Sequence, residues 1–314
     1  MADGIVKVAL IQDSPIWLAV EKGLEKTLAL FREAAQSGAE LVVFGESWLG
    51  GYPAWLDHCA GLSLWNDPQA KELYRLMWEH AVRVPGPMCA QLGKACAESG
   101  CMMVIGVNER VDQGPGQGTL YNSLLTFSAQ GELINHHRKL MPTYTEKLVY
   151  GLGDGHGLKS VETEWGKVGG LICWEHWMPL SRQAMHNAGE EIHVAVWPAV
   201  NEMHQIASRQ YAFEGRCYVL AVGQLMQVKD LPLGLKPAPS SPQQADEQLL
   251  GGGSCIIGPD GQFIESPVWN QAEIIIRELD VKRCREERMT LDTSGHYQRN
   301  DIFTFACKTE RSTK

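Results

Sequence analysis

The sequence lacks a basic excess. Its 28 Lys and Arg are outnumbered by 37 Asp and Glu, giving a formal net charge of −9 and a pI near 5.6. Nucleic acid and anionic membrane surfaces both demand a basic face, so neither is expected as the main partner. No apolar run reaches 18 residues, so no helix is expected to span a bilayer. A secretory leader is also not expected: Asp3 is acidic and the apolar core Ile5 to Ile11 is too short. The nine cysteines are odd in number and scattered. They read as reduced thiols in a cytoplasmic setting. No C-x-x-C or H-x-x-x-H lies near Cys173-x-x-His176 to complete a metal site. Gly151-Leu-Gly-Asp-Gly-His-Gly157 does not fit G-x-G-x-x-G and no helix clearly follows, so it reads as a loop and not a phosphate cradle.

What is present is an ordinary globular composition, 44% hydrophobic and 21% charged over 314 residues. Apolar runs predict strands at Val6 to Ile11, Leu41 to Phe44, Met102 to Val107, Val168 to Ile172, Ile192 to Trp197, Cys217 to Val222 and Glu273 to Leu279. Hairpins are predicted around Ala129-Gln-Gly131 and Pro259-Asp-Gly261. Helical spacing predicts helices at Ala19 to Ser37, Pro68 to Val82, Met88 to Ser99, Met178 to Ala188, Glu202 to Gly215 and Val281 to Arg288. Lys229 to Gln244 holds four prolines and reads as a surface loop. The alternation of strands and helices predicts an α/β class with two mixed sheets and outer helices. No composition break splits the chain, so residues 1–314 are expected to form one domain.

Three strands end in a polar residue that the apolar code does not explain. They are Leu41-Val-Val-Phe-Gly-Glu46, Leu133-Ile-Asn-His-His-Arg-Lys139 and Gly169-Gly-Leu-Ile-Cys173. Strand carboxyl ends line the sites of open α/β sheets. A carboxylate, an ammonium and a thiol there supply a base, a stabiliser of negative charge and a nucleophile. Each also has a plainer reading. A cysteine ending an apolar strand is commonly a small buried hydrophobe, Glu46 a solvated loop acid, and Lys139 part of a solvated basic run. Cys173 is read at the N-terminus of the helix from Met178, where unpaired N–H groups would make the thiol more acidic.

The sequence resembles the nitrilase branch of the carbon–nitrogen hydrolase superfamily. The resemblance runs through Phe44-Gly-Glu46 with Gly51-Tyr-Pro53, Arg138-Lys-Leu-Met-Pro142-Thr with Glu146, Gly153-Asp-Gly155, Cys173-Trp-Glu-His176 and Ser294-Gly-His-Tyr297, over about residues 5 to 305. It implies a four-layer αββα sandwich, no cofactor and no metal. It further implies Glu46 as general base, Lys139 as stabiliser of intermediates, Cys173 as nucleophile and Glu146 as a supporting glutamate. The backbone N–H of Trp174 is expected to share the developing charge. Trp48, Tyr52, Tyr150, His176 and Trp197 are expected to wall the pocket for a small nitrile, aryl or arylaliphatic. The implied reaction is hydrolysis of a nitrile to acid and ammonia. An amidase, a carbamoylase or a cyanide-hydrating relative are the alternatives within the superfamily, and a non-catalytic assembly module the alternative outside it. The resemblance also implies a homo-oligomer, a dimer or larger and possibly a spiral.

Overall fold

The computed structural model describes residues 4–311. Asp3, on which the leader reading leans, and the last three residues of the polar tail lie outside them.

The first half of the chain builds one sheet. Its strands are β1 (Ile5–Gln12), β2 (Leu41–Phe44), β3 (Val82–Arg83), β4 (Met102–Arg110), β5 (Leu120–Phe127) and β6 (Leu133–Arg138). The second half builds another from β7 (Val161–Glu162), β8 (Lys167–Ile172), β9 (Ile192–Val196), β10 (Tyr218–Val222), β11 (Leu225–Gln227), β12 (Gln248–Ile257) and β13 (Phe263–Trp269). The chain then returns, and β14 (Glu273–Asp280) pairs antiparallel with β1 at the edge of the first sheet. Both sheets are mixed: β1–β2–β4 and β8–β9–β10 run parallel, and hairpins extend each of them.

The period-two code of β1 explains how the layers stack. Val6, Val8 and Leu10 enter a buried cluster with β8, β9, β10 and β12. Ala9 and Ile11 enter a second cluster with Val20, Leu24 and Phe31 of α1 (Val20–Gln36) and with Leu92 and Cys96 of a later helix, Pro87–Ser99. One face of the sheet therefore meets the other sheet and the opposite face is covered by helices. The short α2 (Trp55–His58) and α3 (Pro68–Glu79) precede that second outer helix, which is α4. On the far side, α5 (Pro179–Asn187) and α6 (Glu202–Gly215) contribute Met185, Ala207, Tyr211 and Ala212 to the first cluster, and α7 (Lys282–Arg288) adds Cys284. This is the αββα sandwich.

The element boundaries move in physically readable ways. The expected helix Pro68 to Val82 stops at Glu79, because Val82 and Arg83 pair with Glu109 and Arg110. The second hairpin is longer than its turn signal suggests, since its first strand begins at Gln248 and Gln248 to Gly251 pair with β11. Met178 is extended and α5 starts at Pro179, whose fixed φ suits a first helical position.

Candidate active site

Each of the three strand ends delivers its residue to one buried point. Glu46 lies two residues past β2, in a segment that packs on β4 at Gly106, where a Cβ would collide with the Gly45 carbonyl. The Leu49 N–H donates to Gly106 O at 3.1 Å, and the Gln224 side-chain amide donates to Glu46 O, so this turn is tied to both sheets. Lys139 continues β6 by one residue, its N–H donating to Asn122 O at 2.8 Å. The glycine-rich loop backs it: Gly153 N–H donates to Lys139 O at 2.9 Å, and a Cβ at Gly153 would strike the carbonyls of Arg138 and Lys139. Cys173 follows β8 directly and opens a 3₁₀ turn, Cys173–Trp177.

The ammonium of Lys139 is 1% exposed and joins two carboxylates. It donates to Glu46 Oε1 at 2.9 Å and to Glu146 Oε1 and Oε2 at 2.9 and 2.8 Å. Asn122 Nδ2 donates to Glu46 Oε1 at 2.7 Å, while Glu46 Oε2 is buried without a partner. Glu146 also accepts from Tyr52 OH at 3.0 Å and from the Thr143 N–H at 3.0 Å. The Cys173 sulfur and one oxygen each of Glu46 and Glu146 lie within 4.8 Å of one another.

The electrostatics follow from this burial. Burial pushes the Glu46 carboxyl up, Lys139 pulls it back, Glu146 pushes again, and the result is about 7. Burial works against the Lys139 ammonium, but the neighbouring Cys173, Glu146 and Glu46 hold it well above its ordinary value. The Cys173 thiol is pushed well above its ordinary value, first by burial and then by Glu46. This corrects the expectation of a thiol made acidic by a helix N-terminus. The helix begins only at Pro179, with a 3₁₀ turn between, and desolvation outweighs both the Lys139 charge and the hydrogen bond from the Trp174 N–H. The backbone at Cys173 is left-handed, φ 52°. That conformation costs a non-glycine residue on the order of 1–3 kcal/mol and persists only when its surroundings enforce it. A thiol that stays protonated until a neighbouring carboxylate takes its proton, beside an ammonium and a backbone N–H, can add to a carbon–nitrogen multiple bond and hold the charge that develops.

A cleft of about 360 Å³ reaches this point, with Cys173 at its floor. Tyr52, Tyr144, Trp174, His204, Leu249 and Leu250 are among its walls. Of the five expected pocket residues, only Tyr52 is among them. Trp48 faces the other side of its sheet, where its Nε1 donates to Thr27 Oγ1 at 2.8 Å and its ring packs on Phe44. Tyr150 is buried behind the carboxylates, its OH donating to Asn108 Oδ1 and lying 3.5 Å from Ser47 Oγ. Trp197 is fully buried and stacks between His176 and His204, with ring centroids 4.7 and 4.6 Å away. His176 lies behind the nucleophile's turn, its Nδ1 2.6 Å from Cys173 O. The apolar code cannot separate a buried aromatic that faces a cleft from one that faces a helix.

Other residues were not singled out in the sequence. Glu175 accepts from the N–H groups of Ile172 and Leu140 at 2.7 and 2.8 Å and stands 2.9 Å from His137 Nε2, so it ties the Cys173 strand to the Lys139 strand. Its partners hold its carboxyl below the ordinary value despite complete burial, the largest lowering coming from His137. Asn122 gave no local signal, since its partner Glu46 is distant in sequence.

Residues 7–289 match the carbon–nitrogen hydrolase family. An aliphatic nitrilase of Sinorhizobium fredii (strain HH103) is 36% identical over 297 residues, covering 95% of this chain and 94% of its own. A bifunctional nitrilase/nitrile hydratase of Lupinus angustifolius is 35% identical over 311 residues, covering 96% of this chain and 86% of its own. The chain belongs to the nitrilase branch of the carbon–nitrogen hydrolases. A carbon–nitrogen hydrolase from Helicobacter pylori G27, 20% identical, superposes with a TM-score of 0.70 over 95% of this chain and 97% of that one, which shows the shared fold. Within this family fold, Glu46, Lys139, Glu146 and Cys173 form one buried cluster, and Cys173 lines the cleft.

Proposed function

We propose that the whole chain is one hydrolase domain that converts an organic nitrile to its carboxylic acid and ammonia through a covalent bond to Cys173. The observation that carries this reading is the single ammonium of Lys139 shared by Glu46 and Glu146 beside the Cys173 sulfur. The nitrilase names of the relatives support it.

The sequence of steps follows from the positions. Glu46 takes the Cys173 proton as sulfur adds to the nitrile carbon, and that proton passes to nitrogen, giving a thioimidate. Glu46 then draws a proton from water as the water adds. Lys139 and the Trp174 N–H offset the charge of the tetrahedral intermediate. The nitrogen leaves as ammonia and a thioester remains. A second water, activated by Glu46, releases the acid and restores the thiol. Glu146 keeps the ammonium aimed at the centre. Expulsion of sulfur in place of nitrogen from the same intermediate gives the amide, and the bifunctional name of the lupin relative supports an amide as minor product.

The cleft walls Tyr52, Tyr144, Trp174 and Leu250 suit a nitrile with a flat or apolar substituent, aryl or arylaliphatic. No helix among the described residues is long and apolar enough to cross a membrane, and the scattered free thiols suit a reducing compartment; we place the enzyme in the cytoplasm, as a homo-oligomer. Product chromatography over a nitrile panel that includes phenylacetonitrile and a dinitrile tests the reaction. The expected result is acid and ammonia, with little or no turnover of the matching amides. Turnover of amides alone would replace this reading with an amidase.

A further inference from the structure

The buried polar groups that the mechanism leaves unused are concentrated behind the nucleophile. His176, His193, Glu190 and Tyr211 form one unbroken chain. His176 Nδ1 is 2.6 Å from Cys173 O, and His176 Nε2 is 2.9 Å from His193 Nε2. His193 Nδ1 is 2.8 Å from Glu190 Oε2, and Tyr211 OH donates to Glu190 Oε1. All four residues are essentially inaccessible. Gly169 of β8 leaves room for the carboxyl, since a Cβ there would collide with Glu190 Oε2.

The other elements around Glu190 supply few charges. His186 of α5 stands 3.9 Å from Oε1, and Arg288 of α7 donates to the Glu190 backbone carbonyl at 3.0 Å. The Cys217 thiol also faces Glu190, while Glu214 of α6 is 3.8 Å from His186 and pairs with Arg182. Among the described residues no Lys or Arg nitrogen lies within 4 Å of the Glu190 carboxylate.

Counting protons along the chain leaves little freedom. Cys173 O only accepts, so His176 Nδ1 carries a hydrogen. The Nε2 of neutral His176 then accepts, so His193 Nε2 carries the next hydrogen. The Nδ1 of neutral His193 accepts in turn, and the donor facing it is Glu190 Oε2. We propose that Glu190, as the neutral acid, acts as a positioning residue, its proton fixing the tautomers of His193 and His176 so that the Cys173 carbonyl meets a donor and the nucleophile keeps its left-handed backbone. An ionised Glu190 would reverse the chain. His193 would donate from Nδ1, His176 from Nε2, and a bare Nδ1 lone pair would face the Cys173 carbonyl. Burial favours the neutral set, pushing Glu190 up to about 7 and His193 and His176 down to about 3.

The inference rests on Cys173 being the nucleophile, but its first test does not use activity. Nitrogen NMR of the imidazoles in the full-length enzyme, recorded below the pH of about 7 at which Glu190 titrates, should show His176 protonated on Nδ1 alone and His193 on Nε2 alone. His193 protonated on Nδ1, or on both nitrogens, overturns the proposal whatever the substrate proves to be. Kinetics provide the second test. Glu190→Leu removes the donor, and kcat should fall roughly 10–10²-fold with KM nearly unchanged, as expected for a misplaced nucleophile. Glu190→Gln donates to His193 and accepts from Tyr211 in the same sense as the neutral acid. It should recover most of that loss, and its kcat should lack the alkaline fall that ionisation of Glu190 causes. A Glu190→Gln enzyme as slow as Glu190→Leu, or one that keeps that alkaline fall, overturns the proposal. So does a Glu190→Leu enzyme with wild-type kcat. If Glu190→Leu does not fold, the nitrogen spectra and Glu190→Gln decide.

Discussion

The two oxygens of Glu46 have different surroundings. Oε1 is held by Lys139 and Asn122, while Oε2 is buried and unpartnered. An unpartnered buried carboxylate oxygen is costly, and here it is the lone pair available for the thiol proton. Loss of a general base typically costs ~10²–10⁴ in rate, so Glu46→Gln should lose at least that factor in kcat, measured by ammonia release. Near-normal kcat in the variant would remove Glu46 from the chemistry. The wild-type kcat/KM should fall below pH about 7 as Glu46 takes up a proton. The same shift sets a stability trend. The folded carboxyl releases its proton near 7 against an ordinary value of 4.5, so the folded state binds more protons in that window. Stability is therefore fully present below 4.5 and declines as pH rises to about 7. Urea midpoints of wild type should drop across this window, and those of Glu46→Gln should drop less. Equal slopes would place the raised ionisation elsewhere.

At the scale of elements, β6 and β8 belong to different sheets, and Glu175 fastens their ends together. Its pH trend has the opposite sign to that of Glu46. Its folded carboxyl sits below the ordinary value, so its contribution is present at neutral pH and lost as acid protonates it. Glu175→Ala leaves the buried His137 Nε2 and the backbone N–H groups of Ile172 and Leu140 without their partner, and removing one partner of such a buried pair costs about 3–5 kcal/mol. Urea unfolding at neutral pH checks this, and a loss below about 1 kcal/mol, the usual worth of an exposed pair, would mean the fastening is not structural. The strand ends themselves were legible in the sequence. Leu41 to Phe44 and Gly169 to Ile172 are unbroken apolar runs, and a Glu or Cys ending such a run is conspicuous. The fastening was not legible. His136, His137 and Arg138 look like a solvated basic run, yet they meet Glu109 and Glu175, 27 to 38 residues away in sequence. Side-chain direction at Trp48 and Trp197 was equally hidden, because a buried aromatic carries the same local pattern on either face of a sheet. The acidity of Cys173 was misread for a third reason: helix proximity can be read from sequence, whereas the depth of burial that outweighs it cannot.

The whole molecule carries the remaining claims. Large apolar side chains such as Trp65, Met289 and Phe303 stand well exposed, as does Leu180 on α5. Such surfaces suit association between copies, and α5 is the expected contact. Light scattering at micromolar protein should give a mass at least twice the 34.8 kDa of one chain, and a monomer throughout would contradict it. The central claim, that turnover passes through one thiol among nine, is read most directly on the intact enzyme. Mass spectrometry of protein quenched during turnover of a nitrile should show the mass of a thioimidate or thioester, and peptide mapping should place it on Cys173. Cys173→Ala should stay folded, show no adduct and release no ammonia. An adduct on another cysteine, or an active Cys173→Ala enzyme, would contradict the account.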